Sequence, residues 1–382
     1  MKKVAIISVI AALFVAAVAV TGCAKKDTGT IKIGTILPIS GPVSAYGIQT
    51  RDAVLLAFDE INAAGGVLGK KLELIAEDDE ASPEKSANAW KKLTSADKVN
   101  VIIGALTSKC SLAITSLSQA KKIVQISTSS TNDTVTDAGD FIFRACYNDS
   151  FQGVVVAQFA FETLKGKKAA ILTDISNDYS VGLTENFKAK FESLGGQIVA
   201  AEAYNSGDKD FNAQLTKIKS AGPDVIFLPD YYNTVSLIAK QVRAQGMMVP
   251  LLGADGWDEI TNNAGDEALN GFYSNHYSPD SDDPAVKKFV AAYKAKYGQD
   301  PNALAALGYD TAYLVAEAIK NAGTASDSQK IRDAMAALDM QLVTGRIKFN
   351  EKRNPVKSAV IVEVVKAADG KLTTKYAGTV NP

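Results

Sequence analysis

Histidine is almost absent from this sequence: His276 is the only one in 382 residues. It alternates with aromatic and polar neighbours in a strand-like run, and reads as a solvent-facing or packed strand residue. Cysteine is nearly as scarce. Cys110 and Cys146 in the body of the chain are too few for a disulfide scaffold. They either pair or stay as two small buried thiols. A net charge of −1 leaves no basic field for nucleic acid. The sequence contains no His-Glu-x-x-His helix, no Cys-x-x-Cys motif and no Gly-x-Ser-x-Gly elbow. "GGVLGKK" (65–71) is one residue short of a phosphate loop, lacks the hydroxyl after lysine and follows a helix, so it reads as a turn. Neither an enzyme nor a metal or organic cofactor is expected.

What the chain does have is one long apolar run at its start. Lys2 and Lys3 precede uncharged residues 4–20, and Thr21-Gly22 then lead into Cys23. This is the layout of a secretory signal. An uncleaved membrane helix is the competing reading, since the run approaches the ~20 residues needed to span, with Lys25 and Lys26 as a stop. The stretch Val20-Thr21-Gly22-Cys23 resembles the lipobox of bacterial lipoproteins. That resemblance implies a signal peptide over 1–22, lipidation of Cys23 and an anchor or linker over 23–30. In either case the body faces the cell envelope or the exterior.

Beyond the leader, strand and helix patterns alternate with little interruption. "IKIGTILP" (31–38), "KLELIAED" (71–78) and "VNVIIGAL" (99–106) read as buried strands. The stretch 51–66 has helical period, with Val54, Leu55, Phe58 and Ile61 on one face, and stops at Gly65-Gly66 as a left-handed cap requires. Ser82 and Pro83 open the next helix. The same grammar repeats from 167 to 230, with its own Gly195-Gly196 stop. Two such units predict two doubly wound α/β lobes with mainly parallel sheets. Helical stretches at 284–297, 303–322 and 328–338 suggest that the chain returns to complete the first lobe, and "GRIKFN" and "SAVIVEVV" read as closing strands. Several passages between lobes make a hinge.

The chemistry on offer is hydroxyls and acids at strand ends. "IIGALTSKCS" (102–111) delivers Thr107, Ser108 and Ser111 to a helix start, and "QISTSSTND" (125–133) delivers Ser127 to Thr131. Ligands of open α/β sheets sit beyond the carboxyl ends of strands, where helix N-terminal amides favour anions. Either loop alone is equally explained by capping and turn chemistry. From the second half, Asp255 with Trp257, Asp230 with Tyr231 and Tyr232, and Tyr179 also lie at strand ends. A carboxylate and phenols can hold an ammonium group. Together the halves describe an α-amino acid across a cleft.

At this point "GTILPISGPVSAYG", "DEINAAGGVLGKKLELIAEDDEASP", "FRACYNDSFQG", "GDKDF" and "LLGADGWDE", in that order, resemble the branched-chain-amino-acid type of solute-binding protein that serves ABC importers. The resemblance implies a type I periplasmic-binding fold with a three-crossing hinge. It implies lobe I over 31–148 and 278–350, and lobe II over 149–277 and 351–382. It further implies carboxylate binding by Ser108, head-group contacts from Ser129 and Thr131, pocket aromatics Tyr46, Tyr179 and Tyr231, and Asp255 as partner of the α-ammonium. Trp257 and residues near Ala305 to Leu307 are expected in the side-chain pocket. Lys109 and Cys110 depart from relatives that carry small hydroxyl residues there; Lys109 either faces solvent or favours a more acidic ligand. The implied role is a lipid-anchored, extracytoplasmic, monomeric receptor that passes an amino acid to permease subunits and binds no nucleic acid. The alternatives are a receptor for another small carboxylate or amide, or a ligand-sensing partner of a receptor.

Overall fold

In the computed structural model, residues 29–381 are described. The expected signal peptide and Cys23 lie outside the described residues. The first sheet is all parallel, with order β2-β1-β3-β4-β5, from β1 (Thr30–Leu37), β2 (Lys71–Asp78), β3 (Val101–Gly104), β4 (Val124–Ser127) and β5 (Ile142–Arg144). β3, β4 and β5 are buried along their whole length; only β3 reads as an unbroken apolar run, since β4 carries Gln125 and Ser127 and β5 ends on Arg144. Their connections are α1 (Ser44–Ala63), α2 (Pro83–Ser95) and α3 (Ser108–Lys121). Ser82 caps α2 through its Oγ, with Pro83 in the first turn.

The helix expected over 51–66 begins earlier, at Ser44. Gly47 in its first turn is there for close approach: a Cβ would sit 2.2 Å from the Pro38 carbonyl oxygen. The stop falls where expected. Gly65 and Gly66 both have positive φ, and Gly66 N–H bonds back to Ile61 O at 2.9 Å.

The second sheet has order β14-β13-β10-β9-β8-β6-β7. Its parallel strands are β6 (Lys168–Asp174), β7 (Gln197–Tyr204), β8 (Val225–Phe227), β9 (Leu251–Gly253) and β10 (Gly271–Asn275). Helix α4 (Asp149–Gln158) precedes β6, and α5 (Asp178–Ser193), α6 (Asn212–Ala221), α7 (Tyr232–Ala244) and the short α8 (Ile260–Asn263) lie between the strands. Phe187 stacks between Phe191 and Phe227 at 5.4 and 4.3 Å and pins α5 to the sheet.

The chain then returns. α9 (Pro284–Tyr297), α10 (Ala303–Ala322) and α11 (Ser328–Ala336) place Phe289, Tyr293, Leu307 and Ile331 in one core with Ile33, Phe58 and Ile126 of the first lobe. The expected third helix ends two residues early, in a turn at Ala337 and Leu338. "GRIKFN" supplies β12 (Gly345–Lys348), which pairs only with β11 (Asp339–Leu342) in a separate hairpin. β13 (Ala359–Lys366) and β14 (Leu372–Val380) cross back and extend the second sheet in antiparallel sense. The fold is therefore two doubly wound lobes joined by three crossings: after β5, after β10 and after β12.

Candidate functional site

The strand ends of the two sheets face each other. Between them Tyr46, Leu106, Thr107, Ser108 and Ser129 of the first lobe, with Leu304 of α10, meet Tyr179, Tyr231, Asp255 and Gly256 of the second. They enclose about 20 Å³, room for about one water. A wider cleft mouth of about 380 Å³ shares Thr107 and Tyr231 and adds Lys109, Asp174, Asn177 and Asp230.

On the first-lobe wall, α3 starts right after β3, so its first-turn amides point at the cavity. Gly104 at the strand end has φ of 134°, and a Cβ there would meet Ile36 O at 2.5 Å. Ser108 Oγ accepts from Asn132 N–H at 3.2 Å. Its own O–H has no protein acceptor among the described residues. Ser129 donates to Leu106 O at 3.1 Å. The remaining hydroxyls knit the two loops together. Ser127 donates to Ala105 O, and Ser111 and Ser130 lie 2.8 Å apart, one donating to the other while the second gives its proton to the Ala105 or Leu106 carbonyl. Arg144 at the end of β5, fully buried, donates to the carbonyls of Ser130, Asn132 and Asp133 and clamps the same loop.

On the opposite wall, Asp255 follows β9 and is 4% exposed. Its Oδ1 accepts from Tyr179 Oη–H at 2.8 Å and Gln152 Nε2–H at 3.2 Å. Its Oδ2 lies 2.9 Å from His276 Nε2. Among the described residues no lysine or arginine pairs with it. Tyr179 Oη also accepts from Gly256 N–H at 2.8 Å. Gly256 has no room for a side chain: a Cβ would lie 2.7 Å from that phenol oxygen. Tyr179 stacks on Tyr231 at 5.0 Å, with Tyr46 edge-on to Tyr231 at 6.2 Å. Burial, with Asp255 beside it, holds the Tyr179 phenol well above its ordinary range, so it donates.

Contacts across the cleft hold the lobes together. Tyr46 Oη–H donates to Gly256 O at 2.5 Å, Asn132 Nδ2–H to Asp178 O at 2.8 Å, and Lys109 Nζ to Ser176 O at 2.9 Å. Lys109 is exposed at the rim. Glu259 accepts from Gln49 and Asn302, and Asp258 from Ala303 N–H. These are features of a closed conformation.

Of the residues singled out from sequence, Tyr46, Ser108, Ser129, Tyr179, Tyr231 and Asp255 line this one cavity. Two do not. Thr131 is buried and does not line it, accepting Asp149 N–H on its carbonyl. Trp257 points into the second lobe's core, where its Nε1–H donates to Leu228 O at 2.9 Å and its ring lies over Gly253. From α10, Leu304 reaches the cavity and Ala305 to Leu307 do not. Sequence reasoning missed Gln152, and His276 turns out to be buried rather than solvent-facing. Gln152 had no signal beyond a polar residue in an apolar helix. Cys110 and Cys146 are free and buried, and burial pushes both thiols up to about 12. Among the described residues no group of histidine, cysteine or acid side chains is placed to hold a metal ion.

Two α/β lobes, three crossings and a small cavity between strand ends define a bilobal ligand-binding protein of the periplasmic type. The family model described as periplasmic binding protein matches residues 30–371, and the chain belongs to that family. It is 33% identical over 343 residues to the leucine-, isoleucine-, valine-, threonine- and alanine-binding protein of Pseudomonas aeruginosa, covering 88% of this chain and 91% of that one. The crystal structure of the leucine-binding protein LivK of Thermotoga maritima superposes with a TM-score of 0.86 at 35% identity, over 92% of this chain and 99% of that one. A solute-binding protein of Rhodopseudomonas palustris, solved with 3,4-dihydroxybenzoic acid, gives 0.83 at 29% identity, over 92% and 97%.

Proposed function

We propose that the protein captures a small aliphatic amino acid between its lobes and delivers it to an ABC importer. One observation carries this reading. Asp255 is a buried carboxylate with only neutral donors around it. A buried charge needs a counter-charge, and a ligand ammonium supplies it. Opposite, the Ser108 hydroxyl and the amides of the α3 N-terminus suit the ligand's carboxylate. Ser129 completes the head-group contacts, and Tyr46, Leu106, Tyr231 and Leu304 offer a small apolar side-chain pocket. Thr131 acts through its loop. The names of the Pseudomonas and Thermotoga relatives support an aliphatic amino acid.

The enclosed volume is far below the ~300–1,000 Å³ of typical small-molecule sites. Ligand entry therefore requires the lobes to part, with 31–148 and 278–350 moving against 149–277 and 351–382. Acylation of Cys23 after removal of 1–22 would tether this receptor outside the cytoplasm, beside its permease. An aromatic acid is the second reading, favoured by the Rhodopseudomonas relative and by the Tyr179–Tyr231 stack. A thermal-shift screen of ligand-stripped protein tests the choice, because a ligand that binds only the folded state raises the melting temperature. Leucine, isoleucine or valine should give the largest shifts. Shifts from benzoates with none from amino acids would reverse the assignment.

A further inference from the structure

His276 follows β10 on the second crossing, and its side chain is fully buried. Its Nε2 lies 2.9 Å from Asp255 Oδ2. An ionised carboxylate only accepts, so Nε2 carries the proton and Nδ1 is left with a lone pair. Nδ1 has no hydrogen-bond partner among the described residues. The ring stacks on Tyr147 of the first crossing at 4.0 Å and 28°, which fixes its plane. Asp255 is thus oriented by three neutral donors, Tyr179, Gln152 and His276, and only His276 can change charge near neutral pH.

We propose that His276 is a positioning residue for the ligand's ammonium group. As the neutral Nε2–H tautomer it aims Asp255 and leaves the carboxylate's full charge to the ligand. With a second proton it takes that charge for itself, and affinity for the amino group falls. The proposal rests on the amino-acid reading above. It also joins the site to the hinge, since the imidazole and the tyrosine under it sit on two of the three crossings.

The surroundings favour the neutral ring. Burial pushes the His276 pKa below its ordinary value, the Lys357 ammonium of the third crossing acts in the same direction, and Asp255 opposes both. Burial pushes Lys357 itself down to about 8. From α4, burial pushes the Asp149 carboxyl up to about 8, so it keeps its proton at neutral pH. Cys146 and Tyr147 of the first crossing, and Tyr179 facing Asp255, are held up by burial and stay neutral. Asp280 and Asp283 line a hinge-side cavity that His276 also borders. Asp258 and Asp230, pushed up by burial to about 7 and 6, gain protons across the same acidic range. The effect of His276 must therefore be read as a difference between variants.

Because the sequence holds one histidine, an untagged protein labelled with [15N]histidine gives a single imidazole signal. In the ligand-free protein at pH 7 it should report the Nε2–H tautomer. Its titration should move to lower pH in Asp255→Asn, where the charge favouring the imidazolium is gone. Calorimetry with L-leucine from pH 7.5 to 5 supplies the second readout. The parent should lose affinity on the acid side more steeply than His276→Gln, by up to about tenfold per pH unit, the slope of one linked proton. The glutamine keeps an N–H donor and cannot protonate, so at pH 7.5 it should bind within a few-fold of the parent, whereas His276→Ala should bind at least about tenfold more weakly. An Nδ1–H tautomer, a titration indifferent to Asp255→Asn, or equal acid limbs in parent and His276→Gln would each overturn the proposal. If the parent bound no amino acid at any pH, the reading beneath it would fall, and the ammonium role with it.

Discussion

Ser108 Oγ accepts a backbone amide from Asn132 and leaves its own proton for the cavity. Ser108→Ala should therefore keep the fold and lose one hydrogen bond to a carboxylate, about 1.5–3 kcal/mol. Calorimetry should read a ten- to hundredfold weaker dissociation constant; unchanged affinity would remove Ser108 from the head-group site. Asp149 gives a different kind of prediction, one of stability. Its carboxyl is raised to about 8 by burial, from an ordinary value near 3.9. Between those values the folded state holds a proton that the unfolded chain has released, so stability should fall as pH rises from about 4 to 8, by a few kcal/mol. Above 8 that contribution is flat. Asp149→Asn should lack this part of the slope in denaturant melts at pH 5 and 8. Equal slopes in both proteins would mean that the carboxyl is ionised throughout.

At the scale of elements, the N-terminal turn of α3 both lines the cavity and latches the lobes. Lys109 reaches from it to Ser176 O, and Asn132 from the next loop to Asp178 O. These bonds join opposite lobes, so they stabilise only the closed state. Lys109→Met should speed ligand release about two- to tenfold in stopped-flow traces, with the association rate unchanged. An unchanged release rate would make the contact incidental.

The α3 turn was legible because a buried strand runs straight into hydroxyls, and Asp255, Tyr179 and Tyr231 were legible as polar residues at strand ends. Most of the serines in those loops, however, bond each other's carbonyls, and a hydroxyl bound to a neighbouring loop looks the same in sequence as one facing a ligand. Trp257 shows the same limit. Two residues past Asp255 on a tight 3-10 turn, its side chain swings to the other side and fills space over Gly253. The early start of α1 was hidden by Gly47, which serves close packing rather than a break. The packing of His276 was one of its two readings, but its partner was not legible, since Asp255 is brought to it only by the sheet order.

For the whole molecule, the proposed function has each lobe supply half of what a zwitterion needs, neither half sufficing. The first offers helix amides and hydroxyls, the second a buried negative charge. Alternating strand and helix patterns made the two lobes readable, and the return of α9 to α11 to the first core followed from three helices in succession. The exchange of β13 and β14 into the second sheet depends on antiparallel pairing that no periodicity announces. Both halves meet in the proposal that Asp255 holds a ligand ammonium. Its most direct test is calorimetry of ligand-stripped protein with L-leucine and with 4-methylpentanoate, which keeps the carboxylate and side chain but lacks the amino group. Leaving a buried carboxylate unpaired costs about 3–5 kcal/mol, so the deaminated acid should bind two to nearly four orders of magnitude more weakly. Equal affinity for the two would contradict the assignment.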